Sequence, residues 1–324
     1  GTIIDERVNI RDVVAEMVEL SRLGFFKIVK IEKDKLIGKD TDYAFVKEDK
    51  YEDSTELKKL KNYQRLLLRE VFRSTVIHKS VNIAEELFKN DKDNLKRVRK
   101  LLIDKKYTLL SALKNHFYEA LPDFKEKLYK RMESEGFFDA NPEKIRTKWL
   151  GLFIALFVFS VFIVIQFIIR SANFFPLIII ILSFAPGIII AIKMPKRTAK
   201  GYSLFRQIEG LRWYLKKGKW RHEIAVKKLF FEDVMPLAIA LNVVRKLSKD
   251  MQKLNAPPPN YMVGMTTGRL VNDISTFNQS SSSTFMSSPS GKWSSSSSWS
   301  GGSGFSSGGG FSGGGFGGGG GGSW

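Results

Sequence analysis

The chain contains no cysteine. That excludes disulfides, thiolate metal sites and a cysteine nucleophile, and it accords with a reducing compartment. Histidine is nearly as scarce, with three in the chain. His78 and His116 lie far apart, without carboxylates at a metal-ligand spacing, and read as surface or ordinarily packed side chains. Also missing are a G-x-x-x-x-G-K-[ST] phosphate loop, a G-x-S-x-G elbow and an H-E-x-x-H pair. The nearest approach, "RHE" at Arg221 to Glu223, has no second histidine one helical turn on. Glu209, Glu232 and Asp233 fall in helical segments, where capping or ion pairs with neighbouring Lys and Arg explain them more cheaply than a carboxylate site. No catalytic residue, cofactor or metal is expected, and the chain reads as a non-enzyme.

Acid is in short supply as well: 33 Asp and Glu stand against 52 Lys and Arg, a net charge of +19 over 324 residues. Such a balance calls for a polyanionic neighbour, whether nucleic acid, an anionic lipid surface or an acidic protein. The opening "GTIIDERVNIRDVV" has neither the basic start nor the apolar run of a signal peptide, so the back part of a longer protein is expected.

Two stretches carry no charge at all. Trp149 to Ile169 and Asn173 to Ile192 hold 21 and 20 residues, each enough for a helix to cross a hydrocarbon core about 30 Å thick. Every face of both is apolar, which a soluble core could hardly hide. Only Arg170, Ser171 and Ala172 separate them, which predicts an antiparallel transmembrane hairpin. Lys144, Arg146 and Lys148 precede the first span, and Lys193, Lys196, Arg197 and Lys200 follow the second. By the positive-inside rule both large flanks are then cytoplasmic, with the turn outside. Trp149 and Arg170 are the expected interface anchors. Pro176, Pro186 and Gly187 interrupt the second span; without an intramembrane charge they read as a tolerated kink in preference to a transport pathway.

Residues 1–53 read as an amphipathic helix, stopped at Gly24, and a β-hairpin formed by the strand around Phe26 to Ile31 and "DYAFVKE". Helix plus hairpin is the back half of a winged-helix unit, a module that often reads DNA. Asp12, Glu16 and Glu19 on the exposed helix face would repel phosphate, so an interaction or spacer domain is expected in place of a DNA reader. Residues 54–147 read as helical, with Ser54 opening a partial capping box and Pro122 at a helix start. The basic runs "KRVRK" at Lys96 to Lys100 and "LIDKK" ending at Lys106 read as solvated helix faces. "SEGFFD" echoes "RLGFFK", a weak hint of a second helix-and-strand unit.

Residues 193–254 read as amphipathic cytoplasmic helices. Leu204, Ile208, Leu211, Trp213 and Leu215 mark one apolar face; Leu237, Ile239, Leu241, Val244 and Leu247 mark another, with Pro236 starting or kinking that helix. Packing on an anionic inner leaflet or on the preceding domain would satisfy either face equally.

The order of "DVVAEMVELSRLGFFKI", "GFFDANPEKIR" before the paired spans, "TAKGYSLFRQIEGLRWYL", "FEDVMPLAIALNVV" and a Ser/Gly/aromatic end resembles the C-terminal half of the YciQ-like family of predicted bacterial and archaeal membrane proteins. The resemblance implies a multi-pass cell-membrane location, with a signal peptide, an extracytoplasmic region and another transmembrane helix ahead of these residues. It transfers no activity and no catalytic residue.

Residues 255–324 read as a Pro-rich and then Ser/Gly/aromatic tail. From Ser275 onward there is no acid and one base, Lys292, while Phe277, Phe285, Trp293, Trp299, Phe305, Phe311, Phe316 and Trp324 recur every five to eight residues. That spacing is expected to leave a flexible coil, serving as a tether or presenting aromatic stickers to a partner. The whole is a mainly α membrane protein whose expected partners are the anionic inner leaflet and an unidentified protein, with nucleic acid disfavoured. A role as an accessory subunit of a transport system is the alternative.

Overall fold

The computed structural model describes residues 1–34, 39–87, 107–171, 179, 182–184, 186–187, 190–191, 196–218 and 230–289. A short helix, α1 (Thr2–Asp5), leads into α2 (Ile10–Arg22). Asp12 opens α2 by accepting the Asn9 amide at 2.9 Å, half of a capping box. Gly24, at φ 87°, supplies the left-handed turn that stops it. The chain then alternates at period two and forms β1 (Phe26–Asp34) and β2 (Lys39–Lys47), antiparallel with Ile28 opposite Phe45. Helix and hairpin thus stand where the sequence puts them; the turn at 35–38 lies outside the described residues.

Two further strands were not expected. β3 (Tyr107–Leu109) pairs antiparallel with β2, and β4 (Met262–Val263) pairs parallel with β1, giving the order β3-β2-β1-β4. The segment after residue 54 is accordingly not helical throughout. It contributes α3 (Ser54–Lys59), α4 (Asn62–Val71), α5 (Ser74–Leu87) and, past β3, α6 (Leu121–Ser134) with Pro122 in its first turn. The cap of α3 is Asp53, which accepts the Thr55 amide at 2.8 Å, so the partial box assigned to Ser54 is corrected. Both basic runs between 96 and 106 fall outside the described residues.

α7 (Pro142–Ser171) runs for 30 residues, and its Pro142–Gln166 part is apolar and long enough to cross a membrane, with none of its apolar window buried in the protein. At about 1.5 Å per residue, the charge-free part from Trp149 measures roughly 31 Å, the thickness of a hydrocarbon core. Most of the second apolar run lies outside the described residues; those of its positions that are described are helical. The Phe184 ring meets Phe157 edge-on at 5.2 Å, and Gly187 approaches Phe153 so closely that a Cβ would lie 2.8 Å from its ring.

Beyond the membrane segment come α8 (Ala199–Lys217), α9 (Phe230–Ala240) and α10 (Val244–Lys253). Two expectations are corrected here. Trp213 stands 49% exposed while Leu215 is fully buried, because two residues along a helix turn the side chain by about 200°. The face from Leu237 to Leu247 belongs to two helices, broken at Asn242 with φ 58°. Of the two readings of Pro236, its place inside α9 excludes the helix start and leaves the kink, and Leu237 is exposed.

The largest correction concerns the tail. Leu270–Met286 is a helix, α11, and Leu270, Ile274, Phe277, Ser281 and Phe285 along it are buried. These recur at helical spacing, so the stretch is an amphipathic helix instead of a coil, with Ser281 on its buried side and Ser283 exposed. Phe277 packs edge-on to Tyr43 at 5.1 Å, and Phe285 stacks on Phe117 at 4.3 Å. Lys30, largely buried, pairs with Asp273 at 2.7 Å and with Glu32, while the Tyr43 hydroxyl donates to the Asp273 carbonyl. Burial draws the Lys30 pKa down, but the hydrogen bonds to Asp273 and Glu32 outweigh it and leave it raised. Residues 290–324 lie outside the described residues.

α2 packs between α9 and α11, and one hydrophobic core runs from Val8 to Phe285. The units expected separately at 1–53, 54–147 and 193–254 therefore share a single core, built from sequence on both sides of the membrane segment.

Candidate functional site

The two ends of the membrane segment meet at one carboxylate. Glu6 follows α1 in the left-handed conformation, φ 53°, uncommon for a residue with a Cβ. Its carboxylate stands between Arg197, at 2.9 Å, and Arg146, at 3.9 Å. Arg197 also donates to the carbonyls of Ile3 at 3.0 Å and Ile4 at 2.8 Å, which would otherwise end α1 unsatisfied. Its guanidinium lies over the Phe205 ring, 4.4 Å from the centroid, a geometry that suits a planar cation.

Main-chain contacts complete this clamp. Phe138 and Arg197 form an isolated antiparallel bridge, and the Thr198 hydroxyl donates to the Gly136 carbonyl at 2.6 Å while capping α8 by accepting the Gly201 amide. Gly201 has to be glycine: a Cβ there would run into the Phe137 carbonyl oxygen. Ile3, Met132 and Phe138 bury a small apolar cluster beneath it, against Leu204, Phe205 and Ile208.

The sequence-predicted basic set divides accordingly. Arg146 and Arg197 are partly buried in the clamp, and the exposed Lys200 donates to the Glu135 carbonyl at 2.7 Å, so these three make contacts within the protein. Lys144, Lys148 and Lys196 are exposed. Lys193 and the Arg170 side chain lie outside the described residues, and Trp149 is half-exposed at the start of the apolar run.

Above the clamp, α2, α6, α8 and α9 enclose a cleft of about 360 Å³, floored by Phe124, Leu128 and Met132 and edged by Asp12, Glu16, Glu19 and Asp233. The acids of α2 thus face a cleft, and Asp12 is buried, which corrects their reading as an exposed face. Gln64 donates to Glu16 at 2.6 Å. Burial raises the Glu16 carboxyl to about 7, opposed by the Gln64 hydrogen bond and by Lys61. Arg22 bridges Glu19, at 2.6 Å, and Asp233, at 2.8 Å.

The carboxylates weighed for chemistry have separate partners. Asp233 faces Arg22, Glu209 faces Arg212 at 3.9 Å, and Glu232 accepts the Asn260 amide at 3.3 Å. His78 and His116 are exposed, and Arg221 to Glu223 lie outside the described residues. Among the described residues no group of three or more His, Asp or Glu side chains is placed to hold a metal ion.

Sequence reasoning missed Glu6 and the Arg22–Asp233 pair. The latter joins residues 211 apart, and no local pattern announces such a contact. No curated protein and no solved structure matches the chain. The exposed apolar α7, with a folded body tied to its base, agrees with the one comparison that does match: residues 1–251 fit the family described as predicted membrane protein (DUF2207), C-terminal domain, and the chain belongs to that family.

Proposed function

We propose that the protein is a non-enzymatic, membrane-anchored binding protein, in which α7 and the apolar run ending at Ile192 cross the bilayer as an antiparallel hairpin and hold one folded body at the cytoplasmic face. The observation that carries this reading is the clamp: residues 146 and 197, on either side of the apolar segments, reach the same Glu6 carboxylate. A chain whose flanks meet at one point leaves and re-enters on one side, so it crosses an even number of times. The contacts of Phe184 with Phe157 and of Gly187 with Phe153 run in opposite chain directions, as antiparallel helices require. Exposed Lys144, Lys148 and Lys196 at the base supply the positive charge that favours the cytoplasmic side and an anionic leaflet, each contributing about 1 kcal/mol.

Binding is favoured over catalysis because Asp233, Glu209 and Glu232, the carboxylates weighed for chemistry, are taken up in ion pairs and a backbone contact. Nucleic acid is disfavoured because α2, the helix a winged-helix reader would present, lies between α9 and α11. Since the chain has no cysteine, single-cysteine labelling tests the topology directly. Ser171→Cys is expected to react with an impermeant thiol reagent in intact cells, and Lys58→Cys, on the exposed surface of the body, only after lysis. The opposite pattern reverses the orientation, and reaction of both in intact cells refutes the hairpin.

A further inference from the structure

On another side of the body, α8, α10 and α11 enclose a groove of about 660 Å³ whose lining includes Arg212, Lys216, Arg245, Lys246 and Lys249 and no carboxylate. Two of these cations are partly neutralised: Arg212 lies 3.9 Å from Glu209, and Lys246 donates to Asp250 at 3.3 Å. Lys216, Arg245 and Lys249 have no ion pair or hydrogen bond among the described residues. Arg245 and Lys246 stand in the first turn of α10, which contains no acid, so the helix dipole adds to the positive potential instead of offsetting it. Lys216, Arg245 and Lys249, with the partly neutralised Arg212 and Lys246 beside them, leave a net positive concave surface whose charges repel one another unless an anion joins them. The amides of Asn242 and Asn272 complete the lining with neutral donors.

We propose that this groove binds a phosphate group carrying two or more negative charges, as part of a ligand of nucleotide size or of a lipid headgroup. The volume falls in the range of small-molecule sites, about 300–1,000 Å³. Arginine supplies planar, bidentate recognition of phosphate oxygens and lysine supplies point charge. This inference does not rest on the hairpin; it holds for the folded body whichever way the chain is inserted.

The test uses the full chain in phosphatidylcholine nanodiscs, titrated calorimetrically with inorganic tripolyphosphate. One saturable site is expected, weakened at least about tenfold by Arg245→Gln with Lys249→Gln, equivalent to the loss of one strong charged contact. The pair Lys58→Gln with Lys59→Gln, which removes the same charge from an exposed surface elsewhere, is expected to leave the affinity unchanged. A soluble short-chain phosphatidic acid then distinguishes the sources: competition with tripolyphosphate identifies a headgroup, and its absence a soluble phosphate ester. No saturable binding up to about 5 mM, a ceiling far weaker than specific ligand sites, overturns the proposal. So does an equal loss in the two double variants, which would mean that the anion responds only to net charge.

Discussion

Replacing Phe277 by alanine tests whether the Ser-rich stretch is structural. Phe277 is fully buried on α11, and its ring meets Tyr43 of β2 at 5.1 Å with the planes 77° apart. Truncating a buried phenylalanine costs about 3–5 kcal/mol, of which the edge-to-face pair accounts for about 0.5–1.5 kcal/mol beyond the area term. A folded domain of ordinary stability has only about 5–15 kcal/mol to lose. Phe277→Ala is therefore expected to move the urea midpoint of the micelle-solubilised chain far toward zero denaturant, and to raise hydrogen exchange in α11 and β2 together. Tyr202→Ala, at a 55% exposed position, controls for loss of an aromatic ring and is expected to stay within about 0.5 kcal/mol. If Phe277→Ala also stays within about 0.5 kcal/mol and the α11 amides exchange freely in the parent chain, α11 is not part of the core and the single-core description fails.

Two further outcomes follow from the same architecture. Since both flanks of the membrane segment are held at Glu6, replacing residues 149–195 by a short Gly/Ser linker is expected to give a folded monomer soluble without detergent; size-exclusion chromatography and circular dichroism check this, and an aggregate or unfolded chain counts against the clamp. Glu16 couples stability to pH. Its carboxyl titrates near 7 in the fold against an ordinary value of 4.5, so the folded chain holds the extra proton between those limits. Stability is then full below about 4.5 and falls as pH rises through 7, by on the order of 3 kcal/mol. Glu16→Gln is expected to remove that slope and to stabilise the chain at pH 8 while changing little near pH 4.5; parallel pH profiles for parent and variant would refute it.

How much of this was legible depends on the range over which each feature is encoded. α2 and the β1–β2 hairpin show in the sequence because Ile10, Val13, Val14, Met17 and Val18 repeat at helical spacing and the residues after Gly24 switch period. α7 shows because nothing charged interrupts it from Trp149 to Ile169. The strands β3 and β4 have three and two residues, too few for any periodicity, and exist because β1 and β2 offer free edges to them. α11 was hidden by composition. Its apolar stripe of Leu270, Ile274, Phe277 and Phe285 was readable, but the serine run drew it into the tail, although serine is only mildly unfavourable in a helix. The clamp had no readable signal at all. Arg146 and Arg197 look like ordinary juxtamembrane charge until Glu6, almost two hundred residues before Arg197, is brought between them.

The strand β4 and the Lys30–Asp273 pair have a consequence for biosynthesis. Lys30 and Asp273 are 243 residues apart; at roughly 5–20 residues per second the ribosome takes on the order of ten to fifty seconds to supply the second after the first. For most of that interval α2 and the hairpin have neither α9 nor α11 to cover them, while the apolar helix α7 between is already emerging. Synthesis of α7 thus precedes closure of the folded body, and the nascent α2 and hairpin have to be kept from associating with other chains until their distant partners arrive.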